Sequence, residues 1–118
     1  MLTIRAAQLS ALARAGDRAT HQRAFAHLRN SIPEVCGQMS DEELGAVIAW
    51  GHRRARRHGF VGEHDFFRYL NLMFVFGFEF DQNPEHPWAA ETLGRSGLAA
   101  SVKMDLLMDL ALLKSEQA

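Results

Sequence analysis

The apolar positions of this chain recur mostly at helical rather than strand spacing. Residues 5 to about 31 are rich in Ala, Leu, Arg and Gln, types that favour helix. The apolar side does not keep its phase. Leu9, Leu12, Ala13 and Gly16 share one side, while Phe25, Leu28 and Ile32 lie well round the cylinder. The shift predicts a kink or break near Gly16-Asp17, with Asp17 able to cap a second helix. Pro33 lacks an N–H and stops it, and Cys36-Gly37 reads as loop.

The clearest start comes next. Ser40-Asp41-Glu42-Glu43 has the form of a capping box, in which Ser40 accepts from the N–H of Glu43 and Glu43 reaches back. Leu44, Val47, Ile48, Gly51 and Ala55 follow at helical spacing. Acids gather at the positive end of the dipole, and Arg53, Arg54, Arg56, Arg57 and His58 at the negative end. A helix from 41 to 58 is expected, closed by Gly59.

Between Glu63 and Phe76 two patterns compete. Phe66, Leu70, Met73 and Gly77 recur at helical spacing, whereas Phe74, Phe76, Phe78 and Phe80 alternate as in a strand. A single strand has no partner for its ladder. Helix to about Phe76, then an irregular extended stretch to Phe80, is the expectation. Pro87 suits the first position of a short helix to about Leu93. Ser101 is placed to cap a last helix that is apolar on most sides, through Val102, Met104, Leu106, Leu107, Met108, Leu110, Leu112 and Leu113. Such a helix is either central or meets a partner. The pattern predicts an all-α protein, a single compact bundle of five or six helices over 1–118.

Composition narrows the class. At 118 residues, 47% hydrophobic and 23% charged, the chain can bury a core without metal or disulfide and is not disordered. It has no apolar run able to span a membrane, and Gln8, Ser10 and Arg14 break up what would be a leader's apolar stretch. The lone Cys36 excludes an internal disulfide and suits a reducing compartment. The net charge of −1 hides an asymmetry: residues 1–58 carry nine Arg against five acids, and residues 59–118 four bases against nine acids. Either the halves neutralise each other or the surface is bipolar and orients a partner.

Candidate chemistry is sparse. The His52–His58 basic run lacks interleaved aromatics and neighbouring lysines, so nucleic acid is not the expected partner. The histidines at 21, 27, 52, 58, 64 and 86 show no zinc spacing. Asp81, Asn83 and Glu85 begin like a calcium loop, but His86 and Thr92 stand where Gly and Glu are required. A turn with Asp81 bonded to its own backbone is the simpler reading. Cys36 has no local activating group, and no phosphate loop or nucleophile–base pair is present. No catalytic residue, cofactor or metal is therefore expected. Eight of the eleven aromatics lie between Phe60 and Phe80. They are either core or, for Phe76, Phe78 and Phe80, an exposed anchor. Arg53, Arg54, Arg56, Arg57, Phe76, Phe78, Phe80, Asp81 and Trp88 are the candidate partner-binding residues. Trp88, fixed behind Pro87, is expected to pack the Asp81–Pro87 segment onto the aromatic helix.

The set Asn71-Leu72-Met73-Phe74-Val75-Phe76-Gly77, Phe80-Asp81, Pro84 and Pro87-Trp88-Ala89 resembles a family of small bacterial proteins encoded beside type VI secretion effector modules. Gln8, Leu9 and Ala26-His27-Leu28-Arg29 before Pro33 are also similar to it. The resemblance implies a cytoplasmic accessory protein that binds a secretion effector, its adaptor-chaperone or a toxin. Its role would be co-chaperone or adaptor, or alternatively immunity protein. A small-ligand-binding module is the third possibility, through a phenylalanine-lined pocket.

Overall fold

A computed structural model describes the backbone of residues 2–117 and the side chains of residues 17–116. The architecture is all-α, as the periodicity predicts, with six helices and no strand among the described residues. They are α1 (Leu2–Ser31), α2 (Pro33–Cys36), α3 (Asp41–Arg57), α4 (Glu63–Phe76), α5 (Pro87–Leu93) and α6 (Ala100–Gln117). No helix is long and apolar enough to cross a membrane.

Several local expectations are corrected. α1 runs through Gly16-Asp17 without a break, so Asp17 is not a cap. One Gly inside a helix costs only about 1 kcal/mol, and the flanking Ala, Leu and Arg residues offset it. The direction of Leu9, Leu12, Ala13 and Gly16 lies outside the described residues. Pro33 does not open a loop but sits at the first position of the one-turn α2, where its missing N–H is harmless. Ser101 lies inside the first turn of α6, which already begins at Ala100. The stretch after Phe76 is not extended. Gly77, at φ 110°, ends α4, and Phe80 N–H to Gly77 O, Gln82 N–H to Glu79 O and His86 N–H to Asn83 O wind it into successive turns.

The chain divides into two compact units, Met1–Ala49 and Trp50–Ala118, with α3 contributing to each. In the first, Ala24, Leu28, Cys36, Leu44 and Ile48 are fully buried. The capping box forms as expected: Glu43 N–H donates to Ser40 Oγ and Ser40 N–H to Glu43 Oε1, both at 3.0 Å. Arg29 ties α1 to the turn beyond α2. It donates to Cys36 O at 2.8 Å, to Met39 O at 3.2 Å and to Asp41 Oδ1 at 2.7 Å, with its guanidinium over the Phe25 ring.

The second unit holds most of the aromatic residues. Phe60, Phe66, Tyr69, Leu70, Met73, Phe80, Met104 and Leu107 are buried. α3 approaches α4 closely at Gly51, where an added Cβ would lie 2.8 Å from Leu70 Cδ2 and 2.9 Å from Met73 Sδ. Arg68, paired with Asp65 on its own helix, joins α4 to α6 through Asp105. Lys103 donates to the carbonyl of Leu93 at the end of α5.

Candidate functional site

Two features of the second unit stand out: a buried polar cluster, and a groove beside it in sequence. The cluster grows from helical phase. Trp50 and Arg54 are four apart on α3 and His58 follows at the same spacing just past its end, and the Arg54 guanidinium lies over the Trp50 ring at 5.3 Å. Arg54 and His58 thereby reach the turn after α4. Asp81 Oδ2 accepts from Arg54 Nε at 2.7 Å, from His58 Nε2 at 2.8 Å and from Tyr69 Oη at 3.0 Å, and Oδ1 accepts from Arg54 Nη2 at 3.2 Å. The Asp81 side chain is only 2% exposed.

Burial pushes the Asp81 carboxyl up, but the donors Arg54, His58 and Tyr69 together outweigh it and hold it below its ordinary value. It is an ionised acceptor, so His58 Nε2 carries a hydrogen towards it. The bond to Asp81 raises Arg54 in turn. Burial first, and then the charge of Asp81, push the Tyr69 phenol far above its ordinary range, so it stays a neutral hydrogen-bond donor to the carboxylate. The cluster uses one carboxylate to fasten the 77–86 turns to α3 and α4. The expectation that Asp81 bonds its own backbone is thus corrected. Asn83 makes that turn instead, its Oδ1 accepting from Glu85 N–H at 2.9 Å.

The groove is built from α4, the start of α5 and the end of α6. It has a volume of about 670 Å³ and is lined by Val75, Phe76, Glu85, His86, Pro87, Trp88, Glu91, Lys114 and Ser115. Its aromatic members lock together edge to face. Phe76 meets Trp88 at 5.1 Å and 75°, and His86 at 5.3 Å and 73°. Trp88 is only 7% exposed, so it anchors its segment on the aromatic helix as the sequence predicts. An apolar strip continues from the groove along α4 and α6, through Leu72, Val75, Met108, Ala111 and Leu112. Val75 is 62% exposed and Leu112 61%. Among the described residues no group of three or more His, Cys, Asp or Glu is placed to hold a metal ion.

The sequence-derived candidates separate. Phe76 and Trp88 meet in the groove. Phe80 and Asp81 are buried, which corrects their place on an exposed surface: Phe80 packs on Tyr69 at 5.1 Å, and Asp81 is taken up by the cluster. Phe78 is 41% exposed and rests edge-on against Phe74 rather than in the groove. The arginine run splits by helical phase: Arg54 turns to Asp81, while Arg53, Arg56 and Arg57 are exposed. Sequence reasoning did not single out Val75, Glu91 or Lys114 as groove residues, nor His58 and Tyr69 as donors to Asp81. Helical spacing carried part of the missing signal, since Leu72, Val75 and Phe76 share one side of α4, and Met108, Ala111, Leu112 and Ser115 one side of α6.

No protein-family model, no curated protein and no solved structure matches the chain.

Proposed function

We propose that this chain is a non-catalytic protein-interaction module that receives a segment of a protein partner in the α4–α5–α6 groove. One observation carries the reading. The exposed apolar residues Val75 and Leu112 border the aromatic groove, in one continuous strip, instead of being scattered singly. Apolar strips next to grooves are how helical and extended segments are commonly taken up. The groove is open to solvent rather than enclosed, which suits a peptide segment better than a sequestered small ligand. The resemblance of the 71–89 motif narrows the partner to a type VI secretion effector or its adaptor-chaperone, with this chain acting in the cytoplasm as co-chaperone or adaptor.

The alternative is an immunity protein that covers a toxin's site with acidic side chains. It draws on Glu79, Asp81 and Glu85, and the burial of Asp81 leaves that group one carboxylate short at the surface.

The test uses residues whose change spares the core. A Val75→Asp, Leu112→Asp variant is expected to melt like the parent and to lose co-elution with the neighbouring effector or adaptor in gel filtration. Unchanged co-elution would place the interface elsewhere. Rescue of growth by this chain alone, when the neighbouring toxin is expressed, would favour the immunity role.

A further inference from the structure

This inference rests on the groove being the docking site proposed above. We infer that the groove takes a peptide segment in which an apolar anchor is accompanied by a lysine or arginine, and that it rejects the acidic counterpart.

Three rings and two carboxylates line the same cavity. Phe76, His86 and Trp88 lie within 5.1–6.1 Å of one another, and Glu85 and Glu91 join them at the wall. The faces of the Phe76 and Trp88 rings carry partial negative charge, so a cation entering beside them is attracted. Lysine and arginine also carry long apolar stems, which can cover Val75 and Pro87 while the charged head stays near water and the carboxylates. An acidic side chain meets the opposite situation, repelled by both carboxylates and by the ring faces.

Among the described residues Lys114 is the one lysine or arginine lining the cavity, and it comes from α6, whereas Glu85 and Glu91 come from the segment before α5 and from α5 itself. Like-charge repulsion from Lys114 places the occupant's cation on the α5 side, so the groove reads direction as well as charge. The surrounding half of the chain carries the complementary, negative sign, since residues 59–118 hold nine acids against four bases.

The experiment pans a random-peptide phage library on the immobilised full chain, with the Val75→Asp variant as counter-target. Peptides held by the parent and lost on Val75→Asp are expected to pair an aliphatic or aromatic residue with Lys or Arg. A synthetic copy of the strongest is expected to weaken about fivefold on the Glu85→Gln, Glu91→Gln variant. It is expected to tighten on Lys114→Gln, and replacing its basic residue with Glu should abolish binding. All three variants change exposed positions only, and a melting curve for each checks that the fold is kept. Groove-dependent peptides that are acidic or uncharged, or that ignore the Glu→Gln changes, would overturn the charge preference and leave the docking site standing. Failure to enrich any peptide that depends on Val75 would overturn both.

Discussion

Arg29 donates to two backbone carbonyls and to Asp41, all within twelve residues of it in the chain. Asp81 accepts from Arg54, His58 and Tyr69, which lie 27, 23 and 12 residues away. Both hubs fasten a turn to a helix, yet their failure would differ. The partners of Arg29 sit at the edge of water: Asp41 is almost fully exposed, and a carbonyl that loses a guanidinium can take a water molecule. Asp81 itself is enclosed, with a side chain 2% exposed, and the loss of its carboxylate leaves the buried Tyr69 phenol and the part-buried Arg54 guanidinium without this acceptor. A donor hub on the rim is replaceable, whereas an acceptor hub in the interior is not.

The largest effect is expected at that acceptor. Asp81→Ala should cost about 3–5 kcal/mol, as for other buried pairs broken from one side. Urea unfolding measures it, and a loss under about 1 kcal/mol would mean that water already reaches the cluster.

Acid should dissolve the same contribution. The Asp81 carboxyl is held below its ordinary value of 3.8, so its stabilisation is full above that value and is lost as pH falls through the lower folded one. Stability measured on the parent and on Asp81→Asn should converge as pH is lowered through the depressed folded value of the carboxyl. A gap that widens in acid would contradict the depressed carboxyl.

Trp88→Ala tests whether the 77–86 turns are held by their polar hub alone. The indole is buried against Phe76, so about 3 kcal/mol and a fall in Tm of about 15 °C are expected. If melting is unmoved, the fastening rests on Asp81.

The smallest change belongs to the first unit. Arg29→Met keeps the apolar stem and removes the donors, at a cost of about 1 kcal/mol given that the side chain is itself part-exposed. A cost comparable to that of Asp81→Ala would erase the distinction between the two hubs.

What could be read in advance follows from distance along the chain. The Ser40–Glu43 box and the Pro87 start of α5 involve partners a few residues apart, and their chemistry is complete within that window. The end of α4 at Phe76 was legible because a lone strand is physically unsatisfiable. The Arg54–Asp81 pair was not legible. Four neighbouring arginines are equivalent in composition, and only the register of α3 against α4 singles out Arg54. The break expected at Gly16-Asp17 overrated a modest propensity penalty against a favourable flank. Val75 shows the remaining difficulty: its spacing identifies one side of a helix, but whether that side faces core or partner depends on how completely other elements cover it.

Cys36 has a use in time rather than in space. It is the single thiol of the chain, fully buried, and burial pushes its pKa up. A buried, protonated sulfur reacts with a maleimide or disulfide reagent only in moments when α2 is undocked. Arg29 holds the carbonyl of that same residue, so this hydrogen bond adds to the free energy of that opening. The labelling rate of Cys36 therefore reports how often the first unit opens, residue-specifically and without any added probe.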